Sequence, residues 1–227
     1  MTEFTTSRRT YVLASAIIAI AVAAAVGLVA GYQIGKDPAQ AGQTVPADDS
    51  VDAGFARDMQ VHHAQAVEMS YIVRDNTSDQ DVRLLAYDIA TTQQGQIGYM
   101  TAWLDMWDLP QHSSDPAMAW MSDDMTGHDM GHMSDDQMLG DDGLMPGMAT
   151  PEQMEQLRQA RGKQAAILYL QLMIRHHMGG VEMAQYAVEH AEVDDVRHLA
   201  QTMETAQTYE IDAMNDMLAE RGAQPIK

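Results

Sequence analysis

The sequence predicts an all-α fold: a four-helix bundle built from two copies of one helical hairpin, preceded by an N-terminal transmembrane helix. Three observations predict it. An uncharged, almost wholly apolar run occupies residues 11–32. Two long stretches, 53–107 and 151–221, carry helical periodicity with few breakers. Residues 55–104 align without a gap on residues 169–218 at a constant offset of 114, so one hairpin is present twice. Two hairpins with one apolar face each bury those faces most simply against one another, with the whole bundle spanning 53–221.

The N-terminal elements come first. Residues 1–10 are polar and end in Arg8 and Arg9, which would hold this end in the cytoplasm. The run YVLASAIIAIAVAAAVGLVAGY that follows is long enough to cross a bilayer as a helix. It exceeds the apolar core of a usual cleaved signal, and no clear A-x-A site follows it. The reading is an uncleaved, single-pass signal anchor in the cell membrane with the remainder extracytoplasmic. Ser7-Arg8-Arg9-Thr10-Tyr11-Val12-Leu13 also resembles a twin-arginine export signal, so a cleaved leader is the alternative. Either exports the domain. Residues 33–52, with Gly35, Pro38, Gly42 and Pro46, form a linker.

Helical patterning starts near Ala53. It breaks at Asp75-Asn76-Thr77-Ser78, where Thr77 or Ser78 would cap the second helix. The second region opens at Thr150-Pro151-Glu152, an N-cap followed by Pro at the first helical position. Gly162 is a candidate interruption, 192–194 a candidate turn, and 222–227 a tail. Between the hairpins, residues 108–150 hold 43 residues with 8 Met, 3 His and 9 Asp and no Lys or Arg. Connections this long are usually functional or unstructured.

Composition narrows the function classes. The formal charge is -20, which disfavours nucleic acid and anionic lipid surfaces and attracts cations. There is no Cys, against 20 Met, so disulfides, thiolate metal sites and a cysteine nucleophile are excluded. No phosphate-binding loop, nucleotide fingerprint or Ser/His/Asp nucleophile set is visible.

The duplicated motif carries the chemistry. Residues 59–70 read MQVHHAQAVEMS and residues 173–184 read MIRHHMGGVEMA. With about 100° per residue, His62, His63 and Met69 fall at about -60°, +40° and -80° from Met59, on one helix face, while Glu68 falls at about 180°. Met173, His176, His177 and Met183 repeat this, with Glu182 opposite. In the partner helices Gln93, Gln96 and Met100 share a face, as do Gln207, Glu210 and Met214.

Thioether is a soft ligand and imidazole a borderline one, and together they suit copper, Cu(I) over Cu(II). Zinc more often takes Cys, His and carboxylate. A di-iron bundle wants Glu-x-x-His, but Tyr71 and Gln185 follow Glu68 and Glu182 at that spacing. The candidate ligands are Met59, His62, His63, Met69, Met173, His176, His177 and Met183. Met100 and Met214 are further candidates, as are Met125, His128, Met130, His132 and Met133 in the acidic segment. Met at helical spacing is also ordinary core filler, the reading given to Met203. His112, His190 and His198 have no duplicate and read as structural or surface residues. Gly179-Gly180 within a helix costs about 1 kcal/mol per residue relative to Ala, which asks for close approach of a facing helix or of metal-site backbone.

The two Met-x-x-His-His-x5-Met motifs, each followed by a VR-x-LA…Q…I…M segment, resemble the bacterial secreted family known as domain of unknown function 305. The resemblance covers most of 53–218. It implies a ferritin-like helical bundle and, for some members, periplasmic copper binding linked to copper tolerance. It carries over to Met59, His62, His63, Met69 and their duplicates.

The expected function is an extracytoplasmic, membrane-tethered copper-binding protein for sequestration, tolerance or delivery, and not an enzyme. Its partners would be metal ions, the membrane through residues 11–32, and a copper-transfer partner or second copy of the chain, but no nucleic acid. The alternatives are a ferritin-like metal-dependent oxidoreductase and a metal-free, Met-rich interaction or oxidant-scavenging protein.

Overall fold

The computed structural model describes residues 45–121 and 143–226. Five α-helices and one 3-10 turn make up the regular structure of these residues. The predicted span 11–32 and the candidate ligands Met125, His128, Met130, His132 and Met133 lie outside the described residues. Among the described residues, no helix is long and apolar enough to cross a membrane.

Helix α1 (Val51–Asn76) starts earlier than the periodicity predicts, because the Ser50 hydroxyl accepts the Ala53 N–H at 3.2 Å and satisfies one of the orphan donors of the first turn. Helix α2 (Gln80–Met106) is capped by Asp79, not by Thr77 or Ser78; the Asp79 carboxylate accepts the Val82 N–H at 3.3 Å. The Thr77 hydroxyl instead accepts the Asp79 N–H at 3.2 Å, while the Thr77 N–H bonds to Val73 O and closes α1. The Asp79 carboxylate also takes both donors of an Arg221 fork, at 2.8 and 2.7 Å, which ties the start of α2 to the end of the last helix.

The second region is three helices rather than two. Helix α3 (Pro151–Gln159) opens with a full capping box between Thr150 and Gln153. The chain turns at Ala160 and Arg161, and Gly162 adopts φ +58° at the start of α4 (Gly162–His190), a conformation that favours glycine. Helix α5 (Asp194–Glu220) has no side-chain cap of its own. The buried carboxylate of Asp52 from α1 substitutes for it, accepting the N–H groups of Glu192 at 3.1 Å and Val193 at 2.9 Å. Short α3 docks on α1 through Arg158 and Glu68, 2.5 Å apart on the surface.

Helices α1 and α2 form one hairpin and α4 and α5 the other, and the hairpins meet chiefly through α1 and α4. The core is two apolar clusters. One holds Phe55, Met59, Met100, Leu104, Met183, Val196 and Met203. The other holds Met69, Val73, Ile89, Leu157, Tyr169, Met173, Met214 and Leu218. Along each long helix the clusters are separated by polar residues: His62 and His63 on α1, Gln93 and Gln96 on α2, His176 and His177 on α4, Gln207 and Glu210 on α5. The order of the clusters reverses between α1 and α4, so these two helices run antiparallel past one another.

Candidate metal centre

All four motif histidines are fully buried. Burial follows from the periodicity, which puts them on the same faces as the core methionines. Each ring uses its Nε2. His63 meets Gln96 Oε1 at 2.7 Å and His177 meets Glu210 Oε2 at 2.6 Å. His62 meets the Pro146 carbonyl at 3.0 Å and His176 the His62 carbonyl at 2.9 Å. These partner oxygens only accept, so Nε2–H donates in every case.

For His62, His63 and His176 burial therefore fixes the charge state. Desolvation lowers the pKa of His62 to about 4 and that of His63 to about 3, and drives that of His176 well below its ordinary value. A neutral ring that donates from Nε2 carries a lone pair on Nδ1. None of the four Nδ1 atoms has a hydrogen-bond partner. The same is true of the buried Oε1 atoms of Gln93 and Gln207, which are related by the 114-residue offset. Among the described residues, the buried side-chain atoms without a partner are thus six belt atoms in three duplicated pairs, plus Arg74 Nε. Leaving a buried polar group unpaired costs about 1–3 kcal/mol. The free lone pairs of His62, His63, His176, Gln93 and Gln207 on one polar belt fit a cation, and imidazoles oriented by hydrogen bonds on the far nitrogen are the usual arrangement of metal ligands.

The rings of His62 and His176 lie 3.8 Å apart between centroids, and those of His176 and His177 6.3 Å apart. Among the described residues, no three side chains drawn from His, Cys, Asp and Glu are grouped so as to hold a metal ion. A site here therefore requires thioether sulfur beside imidazole. Met59, Met69, Met173 and Met183 are fully buried, as are Met100 and Met214. They are divided between the clusters: Met59, Met100 and Met183 on one side of the belt, Met69, Met173 and Met214 on the other. Each hairpin thus supplies one motif methionine to each side. Met203 lies in the core. Glu68 and Glu182 stay at the surface, and His190 is an exposed residue stacked on Tyr186.

Pro146 and its neighbours are a part of the centre that the motif does not reveal. The last residues before α3 strap across α1 and α4. Gln65 clamps the strap, donating to Ala149 O at 2.9 Å and accepting from Ala149 N–H at 2.6 Å. A Cβ on Gly179 would collide with the Pro146 carbonyl, and one on Gly180 with the Gln207 amide. Both kinds of close approach expected of this Gly pair occur, one to strap backbone and one to the facing helix. At the other end of the same connection, Asp58 accepts from Met118 N–H at 2.6 Å and Trp120 Nε1–H at 2.8 Å. Trp120 fills the space that a side chain on Gly54 would need.

Residues 52–218 match the profile of a family described as domain of unknown function (DUF305). The chain belongs to this family. A solved DUF305 protein of Streptomyces coelicolor, described as secreted, is 52% identical, with 80% of this chain and 99% of that one covered and a TM-score of 0.69. A DUF305 fragment from Deinococcus radiodurans is 27% identical, covering 75% and 96%, with a TM-score of 0.58. The fold is also that of CopM, solved in a Cu(II)-bound form, at 20% identity, 75% and 97% coverage and a TM-score of 0.53. None of the three is described as an enzyme. No curated protein matches the chain.

Proposed function

We propose that this DUF305 chain is an extracytoplasmic copper-binding protein that sequesters or delivers copper, held as Cu(I) on the polar belt of a ferritin-like bundle. The copper is cargo. Its ligands are drawn, no more than two imidazoles to one ion, from the Nδ1 atoms of His62, His63, His176 and His177 with the thioethers of Met59, Met69, Met173 and Met183; Met100 and Met214 stand by on the same two sides. Residues 11–32 tether the chain to the membrane, and the Met/His/Asp-rich segment with Met125, His128, Met130, His132 and Met133 gathers metal for the bundle.

The observation that carries this reading is the set of buried acceptors without partners, duplicated at an offset of 114. A protein that used these residues only for packing would gain by replacing them with apolar side chains. Thioether beside neutral imidazole selects copper over zinc, calcium or magnesium. The secreted relative and the Cu(II)-bound CopM support export and copper at the level of the family fold.

The test is an anaerobic Cu(I) titration of the detergent-solubilised full chain against a chromophoric chelator, with Zn(II) and Fe(II) in parallel. Cu(I) should bind most tightly and survive deletion of residues 122–142. Loss of binding with that segment would move the site out of the bundle. Equal binding of all three metals would end the copper assignment.

A further inference from the structure

Among the motif Met and His residues and the belt residues of the partner helices, the two halves of the centre differ at one place. His63 and His177 are equivalent under the 114-residue offset, and so are the residues that orient them, Gln96 and Glu210. Both histidines are fully buried and both donate Nε2–H over nearly the same distance, 2.7 Å to the Gln96 amide oxygen and 2.6 Å to the Glu210 carboxylate. The geometry is kept through the duplication while the charge is not. Among the described residues, Glu210 makes no ion pair with a Lys or Arg; its hydrogen-bond partner is His177. Its negative charge is therefore directed along the imidazole and into the belt.

We propose that Glu210, acting through His177, makes the two halves of the centre unequal: the His177 half stabilises Cu(II) relative to Cu(I) more than the His63 half does, which is backed by the neutral Gln96. Glu210 is a positioning residue and does not itself ligate. The physical basis is that a carboxylate behind a ligating imidazole raises the basicity of the opposite nitrogen and adds a stabilising charge one ring away from the metal. That charge stabilises a divalent ion more than a monovalent one, because the Coulomb energy scales with the ion's charge. An amide supplies the same orientation without the charge. This inference rests on the copper reading of the preceding section.

The duplication supplies the substitutions. Glu210→Gln and Gln96→Glu each install the residue that the other hairpin already accommodates. The full chain in detergent is loaded with Cu(II) or, anaerobically, with Cu(I). Affinity for each is measured by chelator competition, and Cu(II) is followed by electron paramagnetic resonance. Glu210→Gln should weaken Cu(II) binding about tenfold, within the range for partners of ligating imidazoles, while leaving Cu(I) affinity within about threefold. A tenfold change confined to Cu(II) raises the potential of the bound copper by about 59 mV. Gln96→Glu should do the reverse and strengthen Cu(II) binding at the His63 half.

If Glu210→Gln weakens both oxidation states equally, Glu210 only fixes the ring, and the inequality is refuted while copper binding stands. Unchanged affinity for both oxidation states refutes the inequality as well. If the unaltered chain binds neither Cu(I) nor Cu(II), the copper reading itself fails and takes this inference with it.

Discussion

His62 and His176, 114 positions apart in the chain, stack with ring centroids 3.8 Å apart and an interplanar angle of 34°. Each is the counterpart of the other in the duplicated hairpin, so the contact lies where the hairpins cross. Yet the two rings differ in what they bond. His176 donates to the His62 carbonyl, whereas His62 donates to Pro146 of the strap. The strap thus breaks the internal symmetry at one ring, and Glu210 breaks it at another.

An unpaired acceptor in the core is a cost that only a ligand removes. Gln93→Leu takes away one such acceptor at similar volume. Thermal unfolding of the metal-free protein is expected to show it unchanged or stabilised by about 1 kcal/mol. A destabilisation of about 2 kcal/mol or more would mean that the Gln93 oxygen has a structural role. His176→Leu should likewise leave the metal-free fold largely intact while lowering copper affinity at least about tenfold.

Metal-free stability should fall on mild acidification. His62 titrates at about 4 and His63 at about 3 in the folded protein, against about 6.5 in an unfolded chain. The unfolded state therefore takes up these protons first. Their contribution is whole above about 6.5 and is lost progressively down to the folded values, at about 1.4 kcal/mol per unit for each ring. The Asp79 carboxylate, held below its usual range by Arg221, adds loss only under about pH 3.9. Burial raises the pKa of Asp58, which opposes the trend slightly. Urea midpoints taken from about pH 7 to about pH 4.5 should decline throughout; a flat profile would contradict the burial of neutral rings.

Glycine-to-alanine changes should differ in sign along the helices. Nothing lies within 4 Å of a Cβ built on Gly98 in α2, so Gly98→Ala should stabilise by about 0.5–1 kcal/mol. Gly179→Ala in α4 meets the Pro146 carbonyl. It should destabilise by about 1–3 kcal/mol and displace the strap from His62. Chemical denaturation of the two variants side by side decides this, and a stabilised Gly179→Ala would show that the strap yields without cost.

The start of α5 depends on a residue far away in sequence. Removing the Asp52 carboxylate leaves the N–H groups of Glu192 and Val193 without their acceptor. Asp52→Ala should cost about 1–2 kcal/mol, and hydrogen exchange at Glu192 and Val193, just before α5, should accelerate. Exchange that speeds up elsewhere and not there would refute the capping role.

The sequence by itself determined the helices, the duplication and the identity of the clustered side chains, because each follows from short-range spacing. Period 3.6 puts Met59, His62, His63 and Met69 on one face, and the constant offset repeats that face in the second hairpin. Local chemistry also announced the Thr150 cap and the break at Gly162. Only the tertiary structure decided which ring nitrogen is free, that the methionines divide to either side of the histidines, and that Gln96 and Glu210 stand behind His63 and His177. It also decided that Asp79 rather than Thr77 or Ser78 opens α2, where the Arg221 fork from the far end of the chain holds the capping carboxylate. The physical reason is range. A helix face is set by residues three and four apart, whereas the partner of a buried imidazole comes from a helix 33 residues away or a strap 84 residues away, and periodicity says nothing of what will face it.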